Sequence, residues 1–385
     1  MGAQSLPDIY IVGSGLFGLT VAERITSQFK IPVKIIEKRS HIGGNAFSEI
    51  DSETGIEVHK YGTHLFHTSN LNTWNYINRF SSFTNYQHTV WSLHQGKLYS
   101  LPINLSTINS FFNRNFNPSQ AKEFISGQTN EFKGFPSNLE EKAISSIGRP
   151  LYEAFIRGYT EKQWQTNPAQ LADSIISRLP VRFNLSNRYF EDRFEGLPTE
   201  GYANLLNSMV TNPLIGISLN TDYFEILDDI PPTALCIYTG PIDRYFNYSH
   251  GMLNWRTLDF EFETLNIEDF QGTAVINYAD LDVKFTRIHE FKHLHPERKN
   301  DSKKTLIARE YSRFAQSKED EPYYPVNSAE DRIKLSKYRD DASGLQNVIF
   351  GGRLGSYKYL DMHMAIASAL TVFENQITPW IMNHT

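Results

Sequence analysis

The 385-residue chain has one cysteine, Cys236, so it can close no disulfide within itself and its fold must rest on packing. No stretch approaches the ~18 uninterrupted apolar residues of a membrane-spanning helix. The N-terminus lacks a charged segment leading into an apolar block, so no secretory leader is expected. Met1-Gly2 opens like a myristoylation signal, but Leu6 stands where that signal needs Ser or Thr. Dense basic stretches are missing too. With 37 Lys and Arg against 43 Asp and Glu, the net charge of −6 argues against nucleic acid or an anionic membrane as a partner. There is no internal repeat and no low-complexity tract. A cytoplasmic protein of two or three packed units is the expectation.

Aromatic residues are plentiful: 26 Phe, 20 Tyr and 5 Trp. Most will fill cores, but some can stack on a flat ligand such as a flavin or a base. Near the N-terminus, Ile9-Tyr10-Ile11-Val12 reads as a buried strand, and Leu16 to Phe29 carries Leu19, Ala22, Ile25 and Phe29 at helical spacing. Val33 to Glu37 then reads as a second strand, which makes a strand–helix–strand unit of a parallel sheet. Between strand and helix lies Gly13-Ser14-Gly15-Leu16-Phe17-Gly18. Gly13 permits the tight turn, Gly15 lets a pyrophosphate approach the backbone, and Gly18 lets helix pack on strand. The diphosphate would meet the free N–H groups of the helix start, and Glu37 would bind ribose hydroxyls. A second turn, His41-Ile42-Gly43-Gly44-Asn45, follows Lys38-Arg39 and suits the rest of an extended cofactor, which favours FAD over NAD.

From about 106 to 180 amphipathic helical stretches alternate with Gly, Pro and Asn breaks. Trp255 to Phe262 and the stretch around Val283 to Phe291 alternate with period two, reading as antiparallel strands. Val348-Ile349-Phe350 enters Gly351-Gly352, and a helix follows with Asp361 as N-cap and Met362, Ile366, Ala369 and Phe373 on one face. The fold class expected is mixed α/β. A Rossmann-like FAD-binding domain is built from 1–80, 205–245 and 325–385. A helical domain spans 105–180, with a lid at about 165–180. An antiparallel sheet domain comprises 81–104, 181–204 and 246–324.

These motifs resemble one family, UDP-galactopyranose mutase. The resemblance is carried by the two glycine turns and by His59-Lys60-Tyr61-Gly62-Thr63-His64-Leu65-Phe66-His67-Thr68. It continues through Leu101-Pro102-Ile103-Asn104, Gly158 to Trp164, Arg178 to Arg182, Tyr189-Phe190, Thr286-Arg287, Glu321-Pro322-Tyr323-Tyr324-Pro325 and Gly352 to Met362. Thr63 departs from the pattern, which sets proline there. The resemblance implies interconversion of UDP-galactopyranose and UDP-galactofuranose without net redox change, as in cell-wall polysaccharide synthesis. Reduced FAD would act through N5 as the covalent nucleophile at the anomeric carbon. It also implies NAD(P)H or a reductase as the electron source, and a homodimer. The rival readings are a flavin oxidoreductase of the amine-oxidase-like superfamily and a non-catalytic binding protein.

The same resemblance assigns roles. Arg178 would ride on the lid, Arg287 would hold the diphosphate, and Arg353 would lie near flavin and sugar; a diphosphate needs such cationic, bidentate partners. Tyr189, Tyr323 and Tyr359 would donate to the diphosphate. Phe155, Tyr159 and Trp164 would pocket the uracil, with Asn277 and His88 as further polar contacts. The cofactor would be held by residues 13–18, Glu37, Lys38, Gly44, Asn45, His59, Gly352, Arg353, Tyr359, Asp361 and Met362. His64 and His67 would work on the flavin side, and Glu310 would position neighbouring tyrosine and arginine side chains. His59, His64 and His67 could also suggest a metal, as could His289, His293 and His295. The first trio is assigned to the flavin, the second to one solvated strand face, and no metal is expected.

Overall fold

The computed structural model describes residues 7–176, 181–300 and 302–384. The N-terminal unit forms where the pattern puts it, with strand Ile9–Val12, helix Leu16–Phe29 and strand Val33–Ile36. All four residues of the first strand are buried, as a parallel strand covered on both faces requires. Its neighbours come from distant sequence. The five-stranded parallel sheet runs Val348–Phe350, Leu235–Tyr238, Ile9–Val12, Val33–Ile36, Ile215–Ser218. The fold is thus the mixed α/β, Rossmann-like class expected. Both chain ends share one core, in which Leu19, Ile25 and Ile35 pack with Ile366, Ala369 and Phe373.

Three helices of the middle segment, Leu105–Phe112, Pro118–Thr129 and Leu139–Ile147, start on asparagine. The side chains of Asn104, Asn117 and Asn138 accept from the backbone N–H groups of Thr107, Gln120 and Glu141. Each satisfies a donor that the helix start would otherwise leave open. A π-helical turn at Tyr152–Arg157 leads into helix Gly158–Trp164. This helix lies close on the larger sheet at Gly158, where a Cβ would sit 2.3 Å from the Ala279 carbonyl oxygen. Lys162 secures the same contact by donating from Nζ to the carbonyls of Tyr278, Asp280 and Phe285 at 2.6, 2.8 and 3.1 Å.

The larger sheet has seven strands, ordered Tyr324–Pro325, Trp255–Leu265, Thr305–Phe314, Arg287–Glu290, Val275–Tyr278, Val90–His94, Lys97–Leu101. It differs from expectation in two ways. Val275–Tyr278 runs parallel to Val90–His94, so the sheet is not purely antiparallel. Only Arg287–Glu290 of the alternating 283–291 stretch is a strand, and Phe291–Leu294 turns into a 3-10 helix. Register sets one transverse row across the sheet: Ser92, Asn277, Arg287, Glu310 and Phe260 are successive Cα partners. Directly opposed residues share a face, so this row brings side chains from five strands together.

Candidate active site

The two glycine turns meet. The Gly43 N–H donates to the Ser14 carbonyl at 2.8 Å, and Gly15 pairs with Gly43 as a parallel bridge. Gly13 sits at φ +96°, and a Cβ there would lie 2.1 Å from Thr239 Oγ1, so no other residue fits. Glu37, buried at the end of its strand, accepts from the Ser14 N–H at 2.8 Å and hydroxyl at 2.7 Å, and from the Arg39 N–H at 2.9 Å. A cavity of about 460 Å³ opens over this floor. Its lining includes Gly13, Gly15, Leu16, Phe17, Glu37, Lys38, Gly44, Asn45 and His64, and on the far wall Gly352, Arg353 and Met362.

These walls fit an extended dinucleotide. A Cβ on Gly15 would meet nothing within 4 Å, which leaves the helix start open to a phosphate. Arg39, which precedes the second glycine turn and was not among the expected cofactor residues, lines the cavity. One of its nitrogens bonds Glu321 and Asn45 at 2.6 and 2.9 Å, while buried Nη1 has no partner. Lys38 pairs with the other Glu321 oxygen at 3.1 Å. Gly18 lies outside the cavity; a Cβ there would strike the Gly13 carbonyl, in keeping with a packing role.

The histidine loop supports the inner wall. His64 Nδ1 lies 2.6 Å from the Gly62 carbonyl, so this nitrogen carries the proton and Nε2 is left as acceptor. The His64 N–H donates to His59 Nδ1 at 3.0 Å, and His59 itself is buried behind the cavity. Burial pushes His59 down to about 3, and burial with nearby Arg353 pushes His64 down to about 4. Both are neutral at pH 7. His67 stacks on Phe190 at 3.7 Å and bonds Asp192 through Nδ1 at 2.7 Å. His67, Asp361 and His363 bring possible ligand atoms within 4.8 Å of one another. Asp192 on His67 and the Tyr359 hydroxyl on Asp361, at 2.7 Å, already engage two of the three. Asp361 stands at the N-cap of helix Met362–Val372 without capping it by its side chain.

A polar cluster lies beside this wall, centred on Arg287. Its guanidinium is 3.2 Å from the Glu310 carboxylate and donates to the Tyr159 hydroxyl. Burial opposes the arginine's charge, but Glu310 holds it above the usual range. Burial likewise opposes ionisation of Glu310, yet Arg287 and His289 hold it down at about 2. Tyr324 and Tyr189 also lie within electrostatic reach of Arg287. Arg353 spans the two regions: it lines the cavity, lies 5.8 Å over Tyr324 and 5.4 Å over Tyr359, and donates to the carbonyls of Tyr323 and Leu360. Asn277 is next to Arg287 in the row, and its buried Oδ1 has no partner. His88 is buried, its carbonyl accepts from the Tyr189 N–H at 2.8 Å, and its ring meets Tyr189 edge-on at 5.7 Å. Trp164 ends its helix half-buried, beside Gln165 in the left-handed region.

Several expectations change. Tyr323, predicted for the diphosphate, is buried on the Arg39 and Tyr61 side; its neighbour Tyr324 faces Arg287. Adjacent residues of an extended segment point opposite ways, so only one of the pair can do so. Phe155, predicted for the base pocket, is 3% exposed and packs edge-on to Tyr99, Phe111 and His94 in the helical core. His289, His293 and His295 share no solvated face. His289 and His295 are buried, and the chain leaves strand geometry after Glu290. His289 bonds Glu310 and Thr63, and His295 contacts Glu57 and Glu297. Thr63, the departure from the family pattern, therefore makes a side-chain hydrogen bond that proline could not. Arg178 and the 177–180 part of the expected lid lie outside the described residues.

Comparison with known proteins agrees with this geometry. Residues 154–359 match the family model described as UDP-galactopyranose mutase, and residues 11–80 match an NAD(P)-binding Rossmann-like domain. A Klebsiella pneumoniae protein named "Probable UDP-galactopyranose mutase" is 41% identical, over 94% of this chain and 93% of its own. A dTDP-fucopyranose mutase of Escherichia coli is 38% identical, over 94% and 96%. The crystal structure of a reduced UDP-galactopyranose mutase shares the fold with a TM-score of 0.75 at 14% identity, over 97% of this chain and 94% of that one.

Proposed function

The chain belongs to the UDP-galactopyranose mutase family, and from that premise we propose that this isomerase interconverts UDP-galactopyranose and UDP-galactofuranose with reduced FAD in the cavity. One observation carries the reading most: a half-buried arginine, Arg287, with its charge fixed by Glu310, stands among phenols next to a dinucleotide cavity. An oxidase of small amines has no use for such a group; a sugar linked through a diphosphate does.

Reduced FAD, when bound, supplies the nucleophile for the anomeric carbon. The protein's own share is positioning. Arg287 and Arg178 clamp the diphosphate, with hydroxyls of Tyr324, Tyr359 and Tyr189 as donors. UDP then stays beside the sugar after the glycosidic bond breaks and is in place to reform it. Tyr159 and Trp164 hold the base, and Asn277 Oδ1 offers an acceptor to a substrate N–H or hydroxyl. Neutral His64 presents Nε2 as a proton acceptor on the flavin side. The residue 165–180 lid would exclude water during ring opening and closure. A homodimer, a cytoplasmic setting and reduction by NAD(P)H or a reductase belong to the same proposal. Among the described residues no helix is long and apolar enough to cross a membrane.

The similarity to the dTDP-fucopyranose mutase supports a second reading in which the substrate is dTDP-fucopyranose, with the same clamp and chemistry. The test incubates holoenzyme with UDP-galactofuranose or with dTDP-fucofuranose, with and without dithionite, and follows the pyranose by chromatography. Conversion of the first substrate under reducing conditions alone is expected. Preference for the second transfers the assignment to dTDP-fucose. Turnover of neither sugar by FAD-loaded protein rejects the mutase reading.

A further inference from the structure

Two hydrogen bonds and an ion pair run from the flavin-side loop to the diphosphate arginine, and the active-site chemistry above uses only the last of the three, between Glu310 and Arg287. Thr63 Oγ1 lies 2.7 Å from His289 Nδ1. His289 Nε2 lies 3.0 Å from Glu310 Oε2, and Glu310 Oε1 lies 3.2 Å from Arg287 Nε. His289 and Glu310 are 1% and 4% exposed, so no water competes for these bonds. Thr63 stands between Gly62 and His64, whose hydrogen bond to each other shapes the loop on the cavity wall.

The proton positions follow from the partners. Glu310 is ionised and can only accept, so His289 Nε2 carries a proton. Burial keeps His289 below the ordinary imidazole range, which makes Nδ1 the bare nitrogen and the Thr63 hydroxyl its donor. Without that donor, a buried acceptor is left open. His289 must then take a second proton or turn away, and either response changes what Glu310 offers Arg287.

We propose that Thr63 is a positioning residue that holds His289 in one tautomer, so that Glu310 presents Arg287 to the substrate diphosphate in register with the flavin-side loop. The proposal rests on the reading that Arg287 binds the diphosphate. It makes the loop and the arginine two ends of one coupled unit.

The experiment measures UDP binding to FAD-loaded protein by calorimetry, with FAD content and thermal melting as controls for folding. Thr63→Val, which keeps the shape and loses the hydroxyl, is expected to weaken UDP roughly three- to tenfold. Thr63→Ser is expected to restore it to within about twofold, since the donor returns. In a Glu310→Gln background, Thr63→Val is expected to have almost no further effect, because the route is already cut. Wild-type affinity in Thr63→Val overturns the proposal, as does an equal loss in Thr63→Ser or a full Thr63 effect in the Glu310→Gln background. Thr63→Ala carries the same comparison if Thr63→Val does not fold. Arg287→Ala separates the two readings. If it binds UDP like wild type, the diphosphate assignment has failed; if it loses UDP while Thr63→Val does not, only the relay has.

Discussion

At the scale of single residues, type and spacing singled out Gly13, Gly15, Gly43, Gly44 and Glu37, which line one cavity, and the family resemblance singled out Arg287, because the physical demand proposed for each is narrow. A pyrophosphate turn needs residues without side chains, and a diphosphate needs guanidinium. Which of Tyr323 and Tyr324 serves was not legible, since both are tyrosines in one motif and only strand direction separates them. The structure gives each a different neighbourhood. Tyr324→Phe is therefore expected to lower kcat/KM about tenfold or more, the loss of a hydrogen bond to a charged group, while Tyr323→Phe stays within about twofold. Initial rates with UDP-galactofuranose decide it. Phe155 differs for the opposite reason: the resemblance sets it with Tyr159 and Trp164 around the base, and nothing in the sequence says that three other rings already surround it.

Among elements, local signals were faithful at the N-terminus, less so over 283–291, and long-range pairings were hidden. Strand, glycine turn and helix at the N-terminus follow from periodicity, whereas the caps at Asn104, Asn117 and Asn138 were not anticipated and Asp361 makes no side-chain cap. The parallel pairing of 90–94 with 275–278 leaves no local trace, because its partners are far apart in the chain. Helix Gly158–Trp164 depends on that distant sheet. A methyl at Gly158 would run into the Ala279 carbonyl and lift the helix that carries Tyr159 and Trp164. Gly158→Ala is expected to cost about 1–3 kcal/mol in urea unfolding and to raise KM, with FAD content unchanged. Loss of FAD instead would mean that the helix supports the cofactor unit.

For the whole molecule, buried imidazoles set the response to acid. Burial holds His59, His64 and His88 neutral, down to about 3, 4 and 3. Unfolded, each takes a proton near 6.5. Stability is therefore complete above about pH 6.5 and falls as pH drops toward the folded values, by about 1.4 kcal/mol per unit for each histidine. Urea titrations between pH 6 and 4.5 should show this slope, and His88→Asn should reduce it by one proton's worth. An unchanged slope in that variant would mean that His88 is charged in the folded protein.

The five-stranded sheet also fixes an order in time. Strand Val348–Phe350 is an edge of the sheet that begins at Ile9, and Phe373 packs on Phe29 at 6.0 Å. A ribosome therefore releases the first half of the cofactor unit hundreds of residues before the second half exists. Until the last helix emerges, the apolar faces of the opening helix and strands lack their native cover. Such surface is prone to association and is what chaperones bind. Gly352, Arg353 and Met362 are made long after the glycine turns they face, so the cavity has no far wall until the chain has passed residue 362.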